Sequence, residues 1–266
     1  MKFRTLFLLA VAQALVAMPL MAQPDAAGSR QCSLATLNGS YGFFGEAPAS
    51  IYGTPLAVSG IIRFDGHGNL TGDSVDNVGG SGGSPVSGFS GTYTVSPDCT
   101  YSGAHTGEGG DTLHFVGKIA GEGMSQEMRF VVTDPGWVAL GTVKKIPPGG
   151  CSLASLQGSY ALFGQGLITA YDPAAPFAHV GTVTFDGAGN FVGSDTIMLN
   201  GTEVPDTFTG TYTVTQECQS SAEINSTAVG VIHELGWIVG TGESQEVRRI
   251  ETDPLGFVFY DALRKQ

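Results

Sequence analysis

The feature that most constrains this chain is that it is written twice. Cys32-Ser-Leu-Ala-Thr-Leu-Asn-Gly-Ser-Tyr41 returns as Cys151-Ser-Leu-Ala-Ser-Leu-Gln-Gly-Ser-Tyr160. Phe64-Asp-Gly-His-Gly-Asn69 returns as Phe185-Asp-Gly-Ala-Gly-Asn190, and Gly91-Thr-Tyr-Thr-Val95 as Gly210-Thr-Tyr-Thr-Val214. Ser125-Gln-Glu-Met-Arg129 and Thr133-Asp-Pro135 recur as Ser244-Gln-Glu-Val-Arg248 and Thr252-Asp-Pro254. Four of the five motifs are offset by 119 residues, the Phe-Asp-Gly motif by 121, and their order never changes. Copies of about 115 residues are too long for a solenoid and imply two tandem domains. We place them at residues 32–146 and 151–266, joined by a linker at 147–150 whose Pro and Gly residues mark it.

The four cysteines obey the same rule. Cys32 and Cys99 are 67 residues apart, and so are Cys151 and Cys218. Four cysteines allow three pairings, and equal spacing selects the one in which the same bridge is made twice, Cys32–Cys99 and Cys151–Cys218. A loop of that length stabilises by about 4 kcal/mol in the chain-entropy picture. A zinc site would need a second Cys or a His within a few residues of each ligand, and none is there.

Inside each copy the hydrophobic period is two. Thr92-Tyr-Thr-Val95 alternates, and Ala57–Phe64, Leu113–Ala120 and Phe130–Thr133 are β-rich runs. Gly, Asp, Asn and Pro interrupt such runs every 8 to 15 residues, and no amphipathic helix follows the first 22 residues. Eight strands per copy are expected, in the first near 40–46, 56–65, 68–76, 88–96, 100–105, 111–118, 124–133 and 136–144. Eight short antiparallel strands suit an all-β fold of two up-and-down barrels, which leave no sheet edge exposed. A pair of β-sandwiches is the alternative.

The opening Cys32-Ser-Leu…Leu37-Asn-Gly-Ser-Tyr41 resembles the start of calycin barrels, the lipocalin and avidin superfamily, which open with Gly-x-Trp on the first strand where this chain has Tyr. Gly68-Asn-Leu-Thr-Gly72 is similar to an avidin-like second hairpin, and in avidin too an early Cys pairs with a later strand. The resemblance covers about a third of each copy and implies an eight-stranded barrel with a lumen. None of avidin's biotin-site residues can be placed here. The whole chain also resembles secreted bacterial tandem β-repeat proteins carrying Cys-Ser…Gly-x-Tyr and Phe-Asp-Gly-x-Gly-Asn, a resemblance that brings no activity with it.

Residues 1–22 read as a cleavable signal peptide, with Lys2 and Arg4 ahead of an apolar run from Leu6 to Leu20 and Ala22 at the cleavage point, and 23–31 as a short N-terminal linker. The run is short for a membrane span and holds Gln13 and Pro19, so no transmembrane segment is expected after cleavage, and the protein is expected in the periplasm or outside the cell. Losing Lys2 and Arg4 takes the net charge from −12 to −14, which leaves no basic surface for nucleic acid. Export also permits the two disulfides. With 40 glycines but 42% hydrophobic residues, the chain is neither collagen-like nor disordered.

Several motifs carry possible chemistry. Gly79-Gly-Ser81-Gly-Gly83 matches the serine-hydrolase elbow but has no helix after it and no second copy, so a loop is expected. Asp65-Gly-His-Gly-Asn69 and Asp186-Gly-Ala-Gly-Asn190 offer one carboxylate each to a calcium ion and read more simply as hairpin turns. His105, Glu108, Asp111 and His114 could cluster on a metal, yet only His233 answers to them in the second copy, so neither metal nor cofactor is expected. Four Asn-x-Ser/Thr sequons matter only in a eukaryotic route.

Comparing the copies strand by strand gives the candidate site. One face of 125–133 holds Ser125, Glu127, Arg129 and Val131, matched by Ser244, Glu246, Arg248 and Ile250. The other face drifts from Met128, Phe130 and Val132 to Val247, Arg249 and Glu251. Taking drift as a mark of solvent turns the shared face into the barrel, and the same test turns His114 and His233 inward, because Phe115 answers to Glu234. Tyr41, His114, Glu127 and Arg129, and Tyr160, His233, Glu246 and Arg248, then share one lumen per copy, with Glu and Arg paired. The expected function is non-catalytic binding of a small polar or amphipathic ligand there. The alternatives are a structural or cell-surface module whose barrels are plugged, Arg packing over the first-strand Tyr, and a cyclase- or isomerase-like enzyme using His114 and Glu127 as acid and base.

Overall fold

In the computed structural model the described residues are 31–49 and 53–266, so the expected signal peptide and nearly all of the 23–31 linker lie outside them. The first copy supplies β1 (Asn38–Ala49), β2 (Leu56–Asp65), β3 (Asn69–Val78), β4 (Ser87–Val95), β5 (Thr100–Gly107), β6 (Thr112–Ala120), β7 (Glu127–Val132) and β8 (Val138–Lys145). The second supplies β9 (Gln157–Ile168), β10 (Ala175–Asp186), β11 (Asn190–Leu199), β12 (Thr202–Val214), β13 (Gln219–Ser226), β14 (Gly230–Val239), β15 (Glu246–Glu251) and β16 (Phe257–Lys265). Every strand pairs antiparallel with its chain neighbours, β8 returns to β1 and β16 to β9. The result is two closed eight-stranded, calycin-like barrels, not sandwiches. Among the described residues no helix is long and apolar enough to cross a membrane.

Glycine makes room for the aromatic cores. A Cβ on Gly72 would collide with the Phe89 ring, and one on Gly193 with the Phe208 ring. Small residues on one strand let a ring from the next lie across a narrow barrel. The Asp-Gly-x-Gly-Asn motifs turn β2 into β3 and β10 into β11. Asp65 Oδ1 accepts from the backbone N–H of His67 and Asn69, and its Oδ2 accepts from Asn69 Nδ2 at 2.6 Å. Asp186 repeats the arrangement with Ala188 and Asn190. These carboxylates are committed to the turn, where Gly66 and Gly68 take φ of +77° and +106°.

One end of each barrel is sealed in the same way. Disulfides Cys32–Cys99 and Cys151–Cys218 tie the segment before the first strand to the turn before the fifth. A short 3-10 turn then crosses the end (Leu34–Thr36, Leu153–Ser155). Tyr93 Oη donates to Leu37 O at 2.9 Å, and Tyr212 Oη to Leu156 O at 3.0 Å. Tyr41 and Tyr160 are fully buried, edge-on to Phe64 and Phe185, and their hydroxyls donate to Gln126 and Gln245. The cation over each ring is Lys145 or Lys265, 5.7 and 6.0 Å from the centroid, and not the arginine of the plugged-barrel alternative.

The barrels pack side by side, β1 and β2 against β14, β15 and β16. Phe44, Ala57, Val75, Ile250 and Val258 form one buried cluster across the join, and the Phe44 and Tyr260 rings lie 4.2 Å apart. Gly79–Gly83, expected as a loop, is a strap from the first barrel onto the rim of the second. Gly83 N donates to Thr252 O at 2.8 Å, Gly256 N to Gly80 O at 3.0 Å, and Thr169 Oγ1 to Gly79 O at 2.7 Å. Ser81 Oγ donates to Val78 O, as a turn serine does.

Candidate functional site

The orientation expected for β7 and β15 is inverted. Met128 and Val247 are fully buried in the barrels, while Glu127, Arg129, Glu246 and Arg248 lie on the outer face of the wall. His114 and His233 are also outside, each Nδ1 against an aspartate, Asp134 at 2.8 Å and Asp253 at 3.0 Å. Of the eight expected lumen residues, only Tyr41 and Tyr160 are inside, at the sealed end. His105 stacks in the lumen near Phe89 and Phe115, on the opposite face of the wall from His114, and among the described residues no three His, Cys, Asp or Glu are grouped to hold a metal.

The outer faces are alike in the two copies because they meet. Lys144 Nζ is 3.0 Å from Glu246 Oε1, and Arg248 Nη2 is 2.8 Å from Glu246 Oε2 and 3.6 Å from Glu127 Oε2. Burial opposes ionisation of Glu246, but Arg248 and Lys144 outweigh it and hold the carboxyl below the usual carboxylate range. Arg129, at the edge of this group, is 81% exposed and pairs with Glu127 at 2.8 Å.

The drifting faces line the lumens, and there the barrels part company. In the first, Phe43, Phe89, Phe115 and Phe130 fill the middle and leave a void of about 50 Å³. A hollow of about 460 Å³ at its mouth stops on Phe43, Phe89 and Phe130. In the second barrel a cavity of about 390 Å³ runs from the mouth down to a layer of polar side chains. Its walls include Phe177, Ile197, Ile224, Phe257 and Phe259. The exchange is visible in the register: Phe130 opposite Gly141 in β7–β8 becomes Arg249 opposite Asp261 in β15–β16, and Phe115 becomes Glu234.

The polar layer is built from six strands. Arg249 grips Asp261 with two bonds, Nε–Oδ1 at 3.0 Å and Nη2–Oδ2 at 2.6 Å. The same Nη2 is 2.9 Å from Glu234 Oε2. His179 Nδ1 is 2.9 Å from Asp195 Oδ2. Asp206 on β12 accepts from Ser226, Thr227 and the Ala228 N–H. Burial pushes Glu234 well up from its ordinary value; Arg249 opposes this, and Asp261, Glu251 and Asp195 add to it. Burial also raises Glu251, to about 8, with Asp253 contributing. Asn77 of the first barrel donates to the Glu251 carboxylate and to Phe257 O.

The sequence comparison passed over His179, Asp195 and Asp261, and it assigned Glu234, Arg249 and Glu251 to the solvent face, whereas Glu234 and Arg249 line the lumen and Glu251 is buried. The signal was present: His179 is in phase with Val183 and Phe185, and Asp261 answers to a glycine. A layer of this kind can orient a polar end of a ligand whose body lies among the aromatic walls, or exchange a proton with it.

No protein-family model matches the chain, and no curated protein sequence matches it. Among solved structures the chain is similar to kievitone hydratase from Nectria haematococca, with a TM-score of 0.30 and 10% identity over 92% of this chain and 94% of that one. It is also similar to a putative AttH from Nitrosomonas europaea, with a TM-score of 0.27 and 10% identity over 85% of this chain and 92% of that one.

Proposed function

We propose that the chain is an exported protein that binds a small, largely apolar molecule in the lumen of its second barrel, while the first barrel is the filled, structural partner. The observation that carries this reading is the 390 Å³ cavity, which ends on buried charge in one copy where the other copy has phenylalanine. Its volume falls within the roughly 300–1,000 Å³ usual for small-molecule sites. Buried ionic groups are costly in a merely structural core, as the phenylalanine-filled copy illustrates. Two disulfides support export to an oxidising compartment. Native mass spectrometry of protein from a bacterial periplasm tests the reading. A bound small molecule lost on Ile224→Trp, which fills the lumen, is the expected result; retention by that variant would place the ligand elsewhere.

A second reading is favoured by the His179–Asp195 pair standing in one cavity with Glu234. A histidine oriented by a carboxylate and a carboxyl whose ionisation burial opposes are the groups a base and an acid need. On this reading Glu234→Gln abolishes turnover, while bound ligand is still detected by native mass spectrometry.

A further inference from the structure

The cavity offers its ligand more acceptors than it can use itself. Four carboxylates line it, Asp195, Asp206, Glu234 and Asp261, against Arg249 and His179. Asp261 is spent on Arg249, and Asp206 on three neutral donors. Asp195 uses one oxygen on His179; its Oδ1 has no donor, although the side chain is only 5% exposed. Glu234 is 2% exposed, and its Oε2 lies near Arg249 Nη2 without an aligned hydrogen bond. An acceptor oxygen left without a donor at such depth, as Asp195 Oδ1 is, costs about 1–3 kcal/mol, and a donor from a ligand recovers it; Glu234 Oε2 already has the Arg249 charge at 2.9 Å and can accept a further donor.

We infer that the second barrel's lumen takes an amphipathic amine, its ammonium held between Asp195 and Glu234 and its apolar body lying among Phe177, Phe257 and Phe259. This rests on the proposed lumen site and adds the chemical class of its ligand. An anionic head would meet four carboxylates, with Arg249 already gripped by Asp261. A neutral hydroxyl would offer one donor where two acceptors wait, whereas a primary ammonium offers three. The excess of 24 acidic over 12 basic residues draws cations toward the mouth. The environment of Glu234 agrees. Burial first, and then Asp261, Glu251 and Asp195, disfavour its ionised form, Arg249 favours it, and His179 and Asp206 are the remaining titratable groups of the cavity. A cation seated beside Glu234 would favour the ionised form further.

The test is calorimetric titration of the full chain, at pH 7.5, with three probes of one length: n-octylammonium, 1-octanol and octanoate. Octylammonium should bind roughly ten-fold more tightly than either of the others, and Asp195→Asn and Glu234→Gln should each remove most of that advantage while leaving octanol unchanged. Both substitutions keep side-chain shape, and a thermal melt of each variant confirms folding. Octanol or octanoate binding as tightly as the amine, or an amine affinity indifferent to both substitutions, overturns the inference and leaves the lumen site standing. If none of the three binds, or if Ile224→Trp leaves all three affinities unchanged, the lumen reading falls with it.

Discussion

Arg248 of the second barrel reaches to within 3.6 Å of Glu127 of the first, while Glu246, two residues from Arg248, takes Lys144 from across the join. The repeated Glu-x-Arg motif is thus used twice at one place: Glu127, Glu246 and Arg248 face the join, and Arg129 stands at its solvent edge. Removing Glu246 leaves the buried Lys144 with only the Ser244 carbonyl and Arg248 with only the more distant Glu127, so Glu246→Ala should cost about 3–5 kcal/mol. Arg129→Ala, on the solvent side, should cost within about 0.5 kcal/mol. Urea denaturation of the two variants decides it; equal costs would contradict the arrangement.

Exchanging the lumen of the second barrel for that of the first should leave a folded protein. The triple variant Glu234→Phe, Arg249→Phe, Asp261→Gly restores the packing seen at Phe115, Phe130 and Gly141, so it should melt at or above the parent temperature and lose ligand binding. Arg249→Ala alone should cost about 3–5 kcal/mol, because Asp261 and Glu234 stay buried without their cation. Circular dichroism melts compare the two.

Glu251 makes stability depend on pH in an unusual direction. Its carboxyl has an ordinary value of 4.5 and is raised to about 8 in the folded protein. Between those values the folded chain keeps a proton that the unfolded chain releases, so its contribution is complete below pH 4.5 and is lost as pH rises through 8. Glu251→Gln should flatten the fall in melting temperature over that window. An unchanged slope would show that the carboxyl is ionised in the folded state.

Each disulfide closes the sealed end of its barrel. Replacing Cys32 and Cys99 together by serine should lower stability by about 2–5 kcal/mol, and so should the pair Cys151 and Cys218. Chemical denaturation under oxidising conditions reads both. Tyr41→Phe, which leaves the buried Gln126 Oε1 without its donor, should cost about 1–3 kcal/mol.

The barrels, the pairing of Cys32 with Cys99 and the Asp65 turn were all legible in the sequence, because each rests on local period and spacing that both copies repeat. The direction of β7 and β15 was not. Drift between copies was read as exposure, yet Phe130 and Arg249 differ because their lumens hold different contents. Glu127 and Glu246 agree because both serve the join. Difference between repeats reports a difference of environment, and a solvent face is only one such difference. His179 and Asp195 meet across the β10–β11 hairpin, but Asp261 joins them only when β16 closes the barrel onto β9.

The strap at Gly79–Gly83 and the shared cluster around Ile250 carry a consequence for how the molecule comes apart. Thr169, Thr252 and Gly256 on the second barrel's rim are hydrogen-bonded to the first, and Glu246 finds its lysine on the first barrel as well. An excised second copy, residues 151–266, would expose Ile250 and Val258 and leave Glu246 without Lys144. The pair is therefore one cooperative unit despite its duplicate plan, and heating it should give one calorimetric transition where two independent modules would give two.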